Sequence, residues 1–397
     1  MMRSLALLLL LLPQEAPTAW RLDAAEFARR RAAVAEKLPD GAAALDAGPL
    51  GEPGADANTP VFDFRYLAGI HDDQGLLVLL DGKLTVFVSK PADIPEAAVL
   101  PLEGFAAWAK EHLAGKKIYT KLRQKNLDAL RAAAPGADVV GSTLGPALTR
   151  LRLVKSEAEI RLIRKSSDAT NKAHLAVMRA TKPGKNEKEL DTLLRGVFAK
   201  EGCDDIGFPP IVGAGRNGTV LHYMENKKPI PPDTLMVVDI GASILNYVTD
   251  ITRTLPTSGA FSETQRTHYQ CVLDAQKAAE AVLKPGATFW DLERAAKKVF
   301  EDRELTKWSY AHSKDNGVRH GLGHYVGLAV HDSGTYREKF APGMVITIEP
   351  GWYDKDAGYG IRIEDMYLIT ADGFERLSAD APREIAEIEK AMRPKDF

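Results

Sequence analysis

The apolar positions of this chain alternate between a helical and a strand period. From Asp23 to Lys37, and again from Leu122 to Ala134, they recur every three to four residues, which predicts helices. Between them, Gly75 to Val88 (GLLVLLDGKLTVFV) is two apolar runs about Asp81-Gly82, a turn dipeptide that predicts a hairpin. Residues from about Asp23 to Leu151 therefore read as one α/β unit.

A second unit starts near Ser156. Ser156 and Glu159 make a capping box ahead of an apolar helix, and Lys182-Pro183-Gly184 stops that helix. Leu190, Leu193, Leu194, Val197 and Phe198 then stripe one face of a second helix. Ser262 with Gln265 caps a third, closed by Lys284-Pro285-Gly286, and Leu292, Ala295, Ala296, Val299 and Phe300 stripe a fourth. These stripes are core positions.

The segments between and after these helices are β-rich, and carboxylates emerge from them. Leu235 to Asp239 (LMVVD) and Tyr247 to Thr254 read as a hairpin turning about Ser243 to Asn246, which sets Asp239 opposite Asp250. Met344 to Glu349 (MVITIE) and Gly360 to Ile369 (GIRIEDMYLI), turning near Asp354 to Ala357, set Glu349 opposite Glu364. Directly opposed Cβ atoms lie about 4.5–5.5 Å apart. Carboxylates that close inside apolar strands repel unless a proton or a cation lies between them.

The run His320-Gly-Leu-Gly-His324-Tyr-Val-Gly-Leu-Ala-Val-His331-Asp332 adds imidazoles. Its glycines argue against a helix and for backbone passing close to other groups. His320 and His324 share a strand parity, so both can face one site. His71, His112, His174, His268 and His312 stand alone and read as ordinary structural histidines. Four carboxylates and one imidazole form a hard, oxygen-rich set, which favours manganese, cobalt or iron over a structural zinc site. Five ligands suit a pair of ions about 3.5–4 Å apart.

Whole-chain properties narrow the choice of partners. The 397 residues are enough for two domains, and 45% hydrophobic with 27% charged residues is the composition of a soluble globular protein. A net charge of -2 gives no electrostatic reason to expect nucleic acid or an anionic membrane. Met1-Met2-Arg3, the apolar run Leu5 to Leu12 and Pro13 form a segment far short of the roughly 20 apolar residues that span a bilayer. It reads as a secretory signal cleaved after Ala16 or Ala19, so the expected location is secreted or periplasmic, without stable membrane insertion. Cys203 and Cys271 read as ordinary thiols, with a single disulfide open in an oxidising compartment.

At this point the residues resemble a family. DIGASILNYVTDITRT from Asp239, HGLGHYVGLAVHD from His320, ITIEPGWY, GIRIED and the NGTVLHY run from Asn217 to Tyr223 are similar to the pita-bread metallopeptidases in order, spacing and flanking residues. The chain looks like the proline-specific branch, the Xaa-Pro aminopeptidases and Xaa-Pro dipeptidases (prolidases), and FRYLAGI looks like their N-terminal domain. The implied fold is α/β (α+β): a leader at 1–19, a smaller creatinase-like α/β domain at 20–151, and a pita-bread catalytic domain at 152–397.

The resemblance also implies roles. Asp239 would bind one divalent ion, His324 and Glu349 the other, and Asp250 and Glu364 both, with Mn2+ expected and Co2+, Zn2+ or Fe2+ as alternatives. Glu349 would accept a proton when water attacks the scissile carbonyl. His331 and His222 would hold the carbonyl oxygen and the tetrahedral intermediate, and His320 would line the cleft. Arg362 would hold a metal-bound carboxylate, polarise substrate, or form a structural ion pair. Thr252 would orient Asp250, and Tyr353 would line the cleft. The expected substrates are peptides with proline at the second position, and a homodimer is implied.

Prolidases of the animal type carry a longer loop, with an arginine for the substrate carboxylate, where this chain has the short stretch from His331 to Glu349. Arg337 is the candidate replacement there. This favours the aminopeptidase, with prolidase as the alternative. An inactive pita-bread binding module is the reading from another class, opposed by the complete ligand set.

Overall fold

The computed structural model describes residues 22–38, 40–49, 60–70, 72–311 and 320–393. The expected leader at 1–19, and His71 and His312, lie outside the described residues.

The first half is a sheet between helices. Helix α1 (Ala24–Lys37) starts where the Asp23 side chain accepts a hydrogen bond from the Glu26 N–H. Strand β1 (Gly41–Asp46), helix α2 (Pro60–Ala68) and strands β2 (Leu76–Leu80) and β3 (Lys83–Val88) follow. β2 and β3 are the expected hairpin: Leu80 pairs with Lys83, and Asp81 and Gly82 between them hold φ of 51° and 73°, the two-residue turn that matches strand twist. Then come β4 (Ala97–Pro101), α3 (Phe105–His112), β5 (Lys117–Lys121), α4 (Gln124–Ala133), β6 (Asp138–Val140) and α5 (Leu144–Leu153). The strands form one mixed sheet in the order β4-β3-β2-β1-β5-β6. Ala42, Val78 and Phe87 pack on Phe105 and Leu130 on one face. On the other, Leu45 and Leu79 pack with Val34, Phe64 and Leu148, and that cluster runs on through Ile160 and Tyr247 to Val326 and Val345. The two halves therefore share a core.

The second half uses one plan twice. Helix α6 (Glu157–Ala180) carries the Ser156–Glu159 capping box and stops before Lys182-Pro183-Gly184. It is followed by α7 (Glu187–Lys200) and strands β7 (Asp205–Ile206), β8 (Ile211–Ala214), β9 (Leu235–Ile240), β10 (Ala242–Ile244), β11 (Tyr247–Val248) and β12 (Ile251–Pro256). Helix α8 (Glu263–Val282) repeats the capping box with Ser262 and Gln265. It leads through α9 (Phe289–Asp302) to β13 (Val345–Ile348), β14 (Gly351–Asp354), β15 (Tyr359–Arg362), β16 (Asp365–Ile369), β17 (Phe374–Arg376) and α10 (Ile385–Met392). The predicted stripes are buried: Leu190, Leu194 and Phe198 of α7 and Leu292, Ala296 and Phe300 of α9 join Met236, Val238, Ile346 and Ile348 of the strands in one core. Each fully buried large apolar side chain contributes about 1.5–3 kcal/mol relative to exposure. That holds the strands still beneath the carboxylates.

Both carboxylate hairpins form, and one differs in register from expectation. In the second, Gly351 pairs with Arg362 on one side and Ile348 with Asp365 on the other, so Glu349 and Glu364 face each other in the gap between two ladders. In the first, Asp239 pairs with Thr252 instead of Asp250. The reason is the turn. Leu245 and Asn246, at φ 50° and 66°, form a two-residue turn closed by the Ile244–Tyr247 pair, which moves the facing strand along by two residues. Asp250 then comes level with Gly241, where a Cβ would lie 1.7 Å from the Thr249 carbonyl oxygen. Because the shift is an even number of residues, Asp250 keeps the same face as Asp239.

Candidate active site

The two hairpins are stitched side by side. The Glu364 N–H donates to the Thr252 carbonyl at 3.1 Å, and the Arg362 N–H donates to Thr254 Oγ1 at 3.0 Å. This brings Asp239 and Asp250 from one hairpin against Glu349 and Glu364 from the other.

His324 arrives on an irregular segment that runs beside β13. The Thr347 N–H donates to the His324 carbonyl at 2.8 Å and the Glu349 N–H to the Leu322 carbonyl at 2.7 Å. The glycines permit this approach: a Cβ on Gly323 would lie 2.1 Å from the Thr347 carbonyl oxygen. His324 Nε2 lies 3.4 Å from Asp250 Oδ2, 3.5 Å from Glu349 Oε1 and 3.8 Å from Glu364 Oε1. Ligand atoms of Asp250, His324 and Glu364 all fall within 4.8 Å of one another, a group able to hold a metal ion.

Asp239, Asp250 and Glu364 are buried, whereas His324, Glu349 and His320 are half-buried and face the opening. Burial and the neighbouring carboxylates push the Asp250 and Glu349 carboxyls well above their usual range, and Glu364 rises to about 8. Burial, with His331 beside it, drops the His324 imidazole to about 3, so it is neutral and able to ligate. Buried Asp239 Oδ1, Asp250 Oδ1 and Glu364 Oε1 have no hydrogen-bond partner. Buried polar atoms are almost always satisfied. Three unpartnered acidic oxygens in one cluster fit a cation, and four carboxylates with one imidazole fit a hard divalent ion.

Arg362 is spent on the cluster. Its Nη2 donates to Asp239 Oδ2 at 2.7 Å, its Nη1 to the Tyr353 hydroxyl at 3.1 Å and its Nε to Thr252 Oγ1 at 3.2 Å. Its guanidinium is thus ion-paired with a cluster carboxylate, a contact common to the carboxylate-holding and ion-pair roles, and it acts on the site as a positioning residue. Thr252 donates to Glu364 Oε2 at 2.7 Å, not to Asp250, because β12 meets the second hairpin at Glu364. Tyr353 is fully buried and so does not line an open cleft. Its hydroxyl lies 2.9 Å from His320 Nε2, while His320 Nδ1 lies 2.8 Å from the Gly321 carbonyl. Nδ1 must carry the proton to reach that carbonyl, so Tyr353 donates to Nε2.

Two further imidazoles stand at the rim. His331 is exposed, with its ring edge-on to His324 at 4.5 Å between centroids. His222 is exposed and near enough that its charge would lower His320, whose imidazole sits at about 3 chiefly through burial. Arg337 is exposed on the segment before β13. His174 is a core histidine, with Nε2 2.9 Å from the Ile251 carbonyl, and Cys203 and Cys271 are free thiols.

Sequence reasoning missed the scaffold behind the cluster. Arg253, fully buried, donates to the Glu364 carbonyl at 2.7 Å and to Asp365 Oδ1 at 2.6 Å. Asp332, next to His331, is clamped by Arg152 and lies 3.5 Å from Lys155 Nζ. An arginine inside the apolar strand LMVVD…ITRTLP was a visible signal for the first. Nothing local pointed to the second.

Comparisons with known proteins agree with this geometry. The sequence profile of metallopeptidase family M24 matches residues 161–371. An Xaa-Pro aminopeptidase of Haemophilus influenzae is 36% identical over 268 residues, which is 62% of this chain and 62% of that relative. Xaa-Pro aminopeptidase 1 of Streptomyces coelicolor is 31% identical, with 93% of this chain and 87% of the relative covered. The structure of the aminopeptidase PepP of Pseudomonas aeruginosa superposes with a TM-score of 0.82 at 28% identity, covering 94% of this chain and 98% of that one. The expected α/β architecture, a pita-bread domain preceded by an N-terminal domain, is thus the one observed.

Proposed function

This chain belongs to metallopeptidase family M24, and on that premise we propose that it is an Xaa-Pro aminopeptidase, releasing the first residue from peptides with proline second. The observation that carries the reading is the convergence of Asp250, Glu349 and Glu364 on His324, with Asp239 beside Asp250 and three buried carboxylate oxygens unsatisfied. The names of the relatives support the substrate class.

Asp239, Asp250, His324, Glu349 and Glu364 would hold two divalent ions, with manganese the expected metal. Bound there, the ions would polarise the scissile carbonyl and make water a nucleophile at neutral pH. Glu349 takes up the proton of the attacking water at Oε2, on the His320 side of its carboxylate, and returns it to the proline nitrogen as the bond breaks. His331 and His222 donate from the rim to the carbonyl oxygen as charge develops on it. Arg362 fixes Asp239, Thr252 fixes Glu364, and Tyr353 holds His320 in one tautomer. Proline needs such a dedicated cleft, because it has no N–H and its φ is fixed.

The remaining expectations belong to the same proposal. The division at residues 19 and 151, export to the periplasm or outside the cell, and a homodimer follow from the leader-like start and the family. The short stretch between His331 and β13, with Arg337 exposed, leaves room for a chain beyond proline. The test is a competition among Ala-Pro-Ala, Ala-Pro and Ala-Ala-Ala with manganese supplied. The tripeptide with proline should have the highest kcat/KM. A preference for Ala-Pro would make the enzyme a prolidase, and equal cleavage of Ala-Ala-Ala would remove proline specificity.

A further inference from the structure

Glu187 opens helix α7 and is fully buried. Its carboxylate accepts four hydrogen bonds, all from uncharged donors. Oε1 takes the Ala214 N–H at 3.0 Å and Asn217 Nδ2 at 2.8 Å. Oε2 takes the Tyr223 hydroxyl at 2.8 Å and the Lys228 N–H at 3.0 Å. A carboxylate out of water is costly unless its lone pairs are met, and here they are met without a cation.

The donors all belong to one segment, from Ala214 to Lys228, and His222 lies within it. Asn226, buried at φ 48°, ties the same segment from the other side, accepting from the Val212 N–H at 2.9 Å and donating to the Pro210 carbonyl at 2.8 Å. Leu221 packs on the core and Tyr223 is buried, while Val220, His222 and Met224 stand outward. Holding Tyr223 in therefore holds His222 out, where its charge reaches His320.

We propose that Glu187 is the positioning residue for His222, fixing through Tyr223, Asn217 and two backbone amides where that imidazole meets the substrate carbonyl. This rests on the role given to His222 under Proposed function. A glutamine at 187 would keep the shape but turn N–H groups toward donors, so part of the anchor would repel.

The test is a double-mutant cycle with manganese-loaded enzyme and Ala-Pro-Ala, together with amide hydrogen exchange. Glu187→Gln should lower kcat/KM by about 10- to 100-fold, the scale for a displaced catalytic group. In a His222→Ala background the same change should cost under about 2-fold, since coupled residues are not additive. Tyr223→Phe, which removes one donor alone, should show a smaller loss with the same dependence on His222. Exchange at Ala214 and Lys228 should accelerate in Glu187→Gln. An equal loss in both backgrounds, or wild-type turnover in Glu187→Gln, overturns the proposal. Wild-type turnover in His222→Ala overturns it too, by removing the role of His222, and leaves the peptidase reading intact. If Ala-Pro-Ala is not cleaved at all, that reading fails, and unchanged exchange at both amides overturns the anchor by itself.

Discussion

Glu364 and Asp365 are adjacent, both buried, and opposite in their electrostatics. Asp365 meets Arg253 Nη2 at 2.6 Å and Arg383 Nη1 at 3.1 Å, and these guanidinium groups hold its carboxyl down at about 2. Glu364 faces the other way, into Asp239, Asp250 and Glu349, and rises to about 8 through burial and Asp239. One face of the strand pair is a neutralised structural site. The other gathers four carboxylates, of which only Asp239 is ion-paired with an arginine among the described residues, Arg362. Equal burial with unequal pairing separates a carboxylate that holds the fold together from one that waits for a cation.

The sharpest way to break that contrast is Asp250→Ala. A carboxylate shared by both proposed ions should take metal and hydrolysis with it, lowering turnover by more than about 10³-fold. Elemental analysis finding two metals per chain in the mutant would sink the assignment.

Next is His331→Ala, at the rim of the same site. It should keep its metals and lose about 10²–10³ in kcat, the scale of one lost oxyanion donor. A metal-free mutant would instead make His331 a ligand.

On the structural face, Asp365→Asn removes the carboxylate paired with fully buried Arg253 and one of two carboxylates paired with Arg383. It should lower unfolding free energy by about 3–5 kcal/mol while saturating manganese still binds. Asp250→Asn in metal-free protein should do the reverse and raise the melting temperature, because it relieves repulsion. Thermal melts of the two variants with the same sign would erase the distinction.

The contrast also sets the pH dependence of metal-free protein. Glu364 at about 8, against an ordinary 4.5, keeps its proton in the folded state where the unfolded chain has lost it. Stability from this group is present below 4.5 and falls as pH rises toward 8. Asp365 at about 2, against 3.8, acts oppositely, and its contribution fades only as pH drops below 3.8. Urea midpoints of metal-free protein should therefore fall from about pH 5 to about pH 8, and manganese should remove the slope.

Much of the site was legible because hairpin register follows from turn position. Glu349 and Glu364 came out opposed, since the turn at residues 355–358 lies within one residue of the expected Asp354 to Ala357. Asp239 and Asp250 came out two residues out of register, because Leu245 in a left-handed turn position is not a residue that advertises one. The helices read from local patterns, α1, α4 and α6 to α9, formed close to where they were expected, as did the Ser156 and Ser262 caps; α2, α3, α5 and α10 had not been read. Arg253 with Asp365, Arg152 with Asp332 and Tyr223 with Glu187 join residues 36 or more positions apart, and no local pattern encodes such pairs. Thr252 was placed on the right face but tied to the wrong acid, because its partner came from the other hairpin.

Whether the carboxylate cluster is a two-ion site that powers hydrolysis is read directly by calorimetric titration of metal-free protein with manganese. Hydrolysis of Ala-Pro-Ala would be followed in the same samples. Binding should saturate at two ions per chain, with activity absent before metal is added and rising as the sites fill. Full activity in chelator-treated protein, or no saturable binding, would contradict it.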